Sequence, residues 1–216
     1  MHGYFMPPKE PAAKMIFDKS RKNHGRFALG AWIAAIPDEV QAAFWEGSLL
    51  LIVGLVGLVS RTPLLLASLG PTAYEQTEMP HIRSSRPYNV VIGHMIGLAA
   101  GFLAIALAHA WSAPKVLAVG QLTSARVWAC VIAAAMTSFV TLVLRASQPA
   151  ALATTLLVAL GSLQTKHDAF VVVGAVLLLA ALGEPVRRLR LAKRTISSGQ
   201  TEISMLHVSR FSAGKG

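Results

Sequence analysis

Residues 70–94 read GPTAYEQTEMPHIRSSRPYNVVIGH, with one His and two Arg among the six residues 81–86. On either side lie SLLLIVGLVGLVS (48–60) and MIGLAAGFLAIALAHAW (95–111), two strongly apolar runs. The fold turns on whether the polar stretch is a connecting loop or a polar place held inside an apolar bundle.

The wider composition favours a membrane setting. Hydrophobic residues make up 54% of the 216-residue chain and charged residues only 14%, far from a soluble average. VWACVIAAAMTSFVTLVL (127–144) and AFVVVGAVLLLAAL (169–182) add two runs close to the roughly 20 apolar residues that cross a hydrocarbon core. The expected fold class is an all-α integral membrane protein with about four transmembrane helices, over about 40–60, 89–111, 126–144 and 168–183. These form a membrane domain over 40–183, between basic tails at 1–39 and 184–216. The net charge is +10, and residues 184–216 carry seven Lys or Arg against two acids. Basic tails beside anionic headgroups explain this charge, and no nucleic-acid motif accompanies it. Both termini are expected in the cytoplasm, with the cell membrane, of bacterial cytoplasmic type, as the location. Four crossings would then place Arg61, Arg83, Arg86, Arg145 and Lys166 outside, and Lys115 and Arg126 inside. The N-terminal segment has mixed charge and no apolar core beside a cleavage signal, unlike a secretory leader. Cys130 is the single cysteine, so no intrachain disulfide or cysteine-based metal site can form.

Two shorter apolar pieces interrupt the pattern. TPLLLASLG (62–70) has Thr62 and Pro63 as start signals and Gly70-Pro71 as a stop; QPAALATTLLVALGS (148–162) repeats the plan with Pro149 and Gly161. They are expected as two short interrupted or re-entrant helices at about 62–70 and 148–162, giving a possible internal two-fold repeat of span, short helix, span. If they joined their neighbours into further crossings, the repeats would be inverted instead. Interrupted segments at matching positions in two halves point to a transporter site, because non-helical backbone at membrane depth lines a cavity or is buried in protein. Gly93, Gly97 and Gly101 form a GxxxGxxxG series for close helix approach, within the chain or in a homo-oligomer or with other membrane subunits.

Ionisable groups near such a bundle are functional candidates. The candidate substrate site consists of Ser68, Thr72, His81, Arg83, Arg86, Asn89 and His94 in the first half, and Gln148, Thr154 and Thr155 in the second. Guanidinium groups suit small oxoanions, with amides and hydroxyls as neutral donors. Glu75 and Glu78 lie in the same stretch. No catalytic residues are identified: Ser68 lacks a Gly-x-Ser-x-Gly elbow, and His81, His94 and Glu75 have only loose spacing for a metal. No cofactor or metal is expected.

The order ASLG (67–70), Pro80-His81, Pro87, Asn89-Val90-Val91 and Gly93-His94 resembles the HPP family of small integral membrane proteins. The resemblance covers about residues 45–183. Where that family reads His-Pro-Pro-Ala-Gly-Ala-Thr, this chain has Gln148-Pro149-Ala150-Ala151-Leu152-Ala153-Thr154, which marks a divergent member that has exchanged a titratable imidazole for a neutral amide. The resemblance implies a four-span fold and transport, with nitrite the substrate associated with plant members. The expected function is therefore a transporter or channel for a small anion such as nitrite, with His81 or His94 able to take up a proton. The alternative is a noncatalytic structural or accessory subunit of a larger membrane complex.

Overall fold

A computed structural model describes residues 36–213, with side chains described as far as 195. The expected N-terminal tail lies outside the described residues up to residue 35, and so do residues 214–216 of the C-terminal tail. The elements are α1 (Asp38–Ser60), α2 (Leu69–Glu78), α3 (Pro87–Leu107), the single turn α4 (Val116–Val119), α5 (Ser124–Val143), α6 (Pro149–Ala159) and α7 (Lys166–Ala213). All are helical. Four are long and apolar enough to cross a membrane: α1, α3, α5 and the Lys166–Thr195 part of α7.

Local chemistry sets the boundaries. Pro87 and Pro149 start α3 and α6, where a missing N–H costs no hydrogen bond. Thr123 caps α5 by accepting from the Arg126 N–H at 3.4 Å. Asp168 accepts from the Thr165 N–H at 2.9 Å while the Thr165 hydroxyl accepts from the Asp168 N–H at 3.0 Å, a reciprocal cap on α7. Beyond the apolar run, α7 continues through PVRRLRLAKR as helix rather than ending near 183.

The first short helix is displaced from its expected place. Residues 63–66 are irregular, and the helix begins at Leu69, so Gly70 and Pro71 open α2 instead of ending the piece at 62–70. Two causes favour this. Pro71 is tolerated in a first turn, and Leu64 and Leu65 seat in notches on α1, where a Cβ on Gly57 or Gly54 would lie 3.4 or 2.9 Å from them. The helix stops at Met79, which precedes Pro80 and is disfavoured from helical backbone.

The four long helices stand as expected, but the segments that share an end of the bundle differ from the sequence reading. Asn89, in the first turn of α3, donates to the Ser147 carbonyl at 3.1 Å, so the start of α3 lies beside the chain leaving α5. Arg187 donates to the Pro80 carbonyl at 3.0 Å and Arg190 to the Thr77 carbonyl at 2.9 Å, which brings the late part of α7 to the end of α2. At the opposite end Arg126 donates to the Ala113, Pro114 and Ala159 carbonyls at 2.7, 3.2 and 3.0 Å. Arg83, Arg86 and Arg145 therefore share one end of the bundle with the α7 arginines, whereas the sequence reading put them on the opposite side. A helix of 10 residues is only about 15 Å long. The 61–78 and 148–165 segments each complete a passage between the ends partly as helix and partly as irregular chain. Hydropathy misses such passages because neither apolar piece is of bilayer length.

The core seam joins α3 to α6. A Cβ on Gly93 would lie 2.6 Å from the Gln148 Cβ, on Gly97 2.7 Å from the Ala151 carbonyl oxygen, and on Gly101 2.7 Å from the Val158 Cβ. The glycine face is thus filled by α6 of the same chain, the within-chain use of the two that its spacing allows. The three contacts progress together along both helices, so α3 and α6 run parallel.

In a Cys130→Ala background, cysteines placed at Ser147 and Arg188 should react with an impermeant maleimide from one face of the membrane. A cysteine at Ser112 should react from the other. Gly97→Ala should lower the detergent melting transition, at a cost of about 1–3 kcal/mol from overpacking against backbone. Gly174→Ala, which meets nothing within 4 Å, should not.

Candidate functional site

Around the seam lies a set of polar side chains in an otherwise apolar interior. Ser68, Thr72, Gln76, His94, Thr154 and Thr155 are completely buried, and Gln148 is 3% exposed. Ser68, Thr72, Glu75 and Gln76 recur along α2 and its approach at i, i+4, i+7 and i+8, the spacing of one helix face. That face turns inward, against α3 and α7.

Part of the set is fully bonded. His94 places Nδ1 2.8 Å from the Val90 carbonyl, so that nitrogen donates, and Nε2 faces the Thr72 hydroxyl at 3.4 Å. Thr72 donates to the Ser68 carbonyl at 3.0 Å. Thr155 donates to the Ala151 carbonyl and, 3.0 Å from it, meets the Thr137 hydroxyl of α5. Asn89 spends its amide on the Arg145 and Ser147 carbonyls. These groups tie α2, α3, α5 and α6 together.

The remainder is buried without a partner in the protein: the Ser68 and Thr154 hydroxyls, both amide atoms of Gln76 and of Gln148, and one carboxylate oxygen of Glu75. An unbonded buried polar atom costs about 1–3 kcal/mol, so a run of them on two neighbouring short segments is unfavourable for the bare fold. Gln148 is the residue before α6, held at Gly93 by the seam. Gln76 packs its amide onto the α7 backbone at Gly183. Glu75, in the last turn of α2 outside the four spanning helices, is 9% exposed. The Ser84 and Gln148 side chains lie beside its carboxyl.

The structure thus brings together Ser68, Thr72, His94, Gln148, Thr154 and Thr155 from the sequence-based set, with Asn89 as a tether at one edge. His81, Arg83 and Arg86 stay exposed in the 79–86 loop, outside the cluster. Long cationic side chains reach headgroups and water from that loop, which removes the cost of burying them. Gln76 enters the cluster unannounced, and Glu75, noted in the same stretch but left out of the site, joins it. Their signal was available in the i, i+3, i+4 spacing of Thr72, Glu75 and Gln76. Among the described residues no group of three or more His, Cys, Asp or Glu could hold a metal ion.

Two further arginine clusters are structural. Arg126 is completely buried and satisfied by carbonyls at the end of α6 and in the chain after α3, where positive charge also meets the negative end of the α6 dipole. Gly161, at φ 89°, leaves room for that guanidinium. Arg190 and Arg194 reach Glu78 at 3.8 and 3.3 Å and clamp the end of α2 to α7.

A family model described as HPP, transmembrane region, matches residues 37–187, well over half of the chain, and the chain belongs to that family. Nothing among curated proteins or among solved structures matches it.

Because Gln148 and Thr154 carry polar atoms that the fold does not use, Gln148→Leu and Thr154→Val should leave the melting transition unchanged or raise it by the equivalent of about 1 kcal/mol. Asn89→Leu breaks a bonded tether and should lower it, as read by fluorescence-detected melting in detergent.

Proposed function

We propose that this membrane protein of the HPP family moves a small anion such as nitrite across the cell membrane, with both short helices lining the site. The observation that carries the reading is the row of buried, unpaired hydroxyls and amides on α2 and α6, at Ser68, Gln76, Gln148 and Thr154. A fold gains nothing from desolvating these groups alone, whereas a polar solute passing between the short helices would bond to them. Interrupted segments supply such sites in membrane transporters, since their irregular backbone is tolerated only beside a cavity or within protein.

Within this reading the roles divide by burial. Thr72, His94, Ser68, Gln148 and Thr154 contact the solute or position its contacts; Thr155 and Asn89 hold the frame. Exposed Arg83 and Arg86 form a positive mouth that gathers anions at the loop instead of binding them at depth. By the positive-inside rule, that end, which also carries the α7 arginines, faces the cytoplasm.

Purified full-length chain in liposomes should pass nitrite, nitrate or chloride faster than protein-free liposomes. Gln148→Leu should slow that flux at least tenfold while remaining folded, and Arg83→Gln should slow it mainly at low salt. If none of the three anions moves, the role is that of a noncatalytic packing subunit.

A further inference from the structure

Glu75 is the one carboxylate in the cluster, and its surroundings constrain what the site can hold. Among the described residues no cation pairs with it. The cations nearest in sequence or packing are otherwise placed: Arg187 is held by Glu184 and the Pro80 carbonyl, Arg190 and Arg194 by Glu78, and His81, Arg83 and Arg86 lie exposed. Glu78 and the exposed Tyr74 are the other titratable groups on α2. α3 contributes His94, whose ring is engaged with Val90 and Thr72, and α6 contributes no titratable group. The immediate neighbours of the carboxyl are the neutral side chains of Ser84 and Gln148. One of its oxygens is buried without a hydrogen-bond partner, and the Gln148 side chain lies beside the carboxyl.

An anion seated among these neutral donors would lie close to Glu75 with no guanidinium or ammonium group of the described residues between them. Two like charges in a poorly solvated space repel strongly, and neither would be compensated. Resting on the transport reading above, we propose that Glu75 must be protonated for the site to hold its anion, so that one proton accompanies each small anion and loading leaves the charge of the site unchanged. The chemistry is a proton equilibrium alone: the carboxylate takes a proton from water on the loading side and returns it on the other side as the anion leaves. The sign follows from charge: the protonated carboxyl tolerates the anion and the ionised one repels it, so anion binding is lost as pH rises through the Glu75 titration.

The test uses full-length chain in liposomes with nitrate as the probe, since the acid of nitrite is weak enough to cross bilayers unaided. Apparent nitrate affinity should fall about tenfold per pH unit above the Glu75 titration, as linkage to one proton requires. A membrane potential imposed with potassium and valinomycin should leave the proton-coupled flux unchanged. Glu75→Gln should flatten the pH dependence, and Glu75→Asp should keep a titration at a shifted midpoint. Infrared difference spectra should show a protonated-carboxyl band in the wild type that is absent from Glu75→Gln, a readout independent of flux. Nitrate flux that retains its pH dependence in Glu75→Gln, or that follows the imposed potential, overturns the coupling and leaves the transport reading standing. A chain that shows the titrating band yet moves no anion overturns the transport reading, and the coupling with it, while the protonated Glu75 stands.

Discussion

The parallel packing of α3 on α6 is the contact on which the interior depends. Three glycines at four-residue intervals bring the two backbones together where side chains would hold them apart, and Gln148, Thr155 and Val158 occupy the gained space. In lipid there is no hydrophobic gain from moving apolar side chains out of hydrocarbon, so close van der Waals contact of this kind carries much of the association. It also fixes where α6 starts. Gln148 has its Cβ against Gly93, and Asn89, one turn earlier on α3, holds the chain just before it through the Arg145 and Ser147 carbonyls.

Arginines complete the bundle at both ends by different means. Among the described residues Arg126 has no acidic partner, and it is satisfied by carbonyl oxygens at the end of α6 and in the chain after α3. Arg187, Arg190 and Arg194 use one face of α7 to bind the last carbonyls of α2 and the carboxylate of Glu78. Both clusters terminate short helices. A passage that is only half helical exposes backbone groups at its break, and these side chains are what satisfy several of them.

Against that bonded frame, the unpaired atoms of Ser68, Gln76, Gln148 and Thr154 stand out. The frame shows that the fold can satisfy polar groups where it uses them. Thr72, Thr137, Thr155 and Asn89 all find partners within the same few turns. Gln148 offers a donor and an acceptor at that position without a titratable ring. Glu75 then stands beside that amide as a carboxylate whose neighbours are neutral.

What the sequence determined by itself was the solvent and the inventory. Apolar runs of near-bilayer length specified four long helices, and the order from ASLG to Gly93-His94 pointed to the family, because both are local properties of consecutive residues. The start of α6 at Pro149 was equally local, while α2 was misplaced because the notches at Gly54 and Gly57 that hold Leu64 and Leu65 belong to another helix. Only the tertiary structure decided which end of the bundle each arginine occupies, since a half-helical passage has no apolar run of bilayer length. It alone separated the exposed His81, Arg83 and Arg86 from the buried Thr72 and His94, and admitted Glu75 and Gln76 to the cluster. The reason is geometric: burial depends on which faces of α2 and α6 meet α3 and α7, and the spacing of residues along one segment does not specify its neighbours.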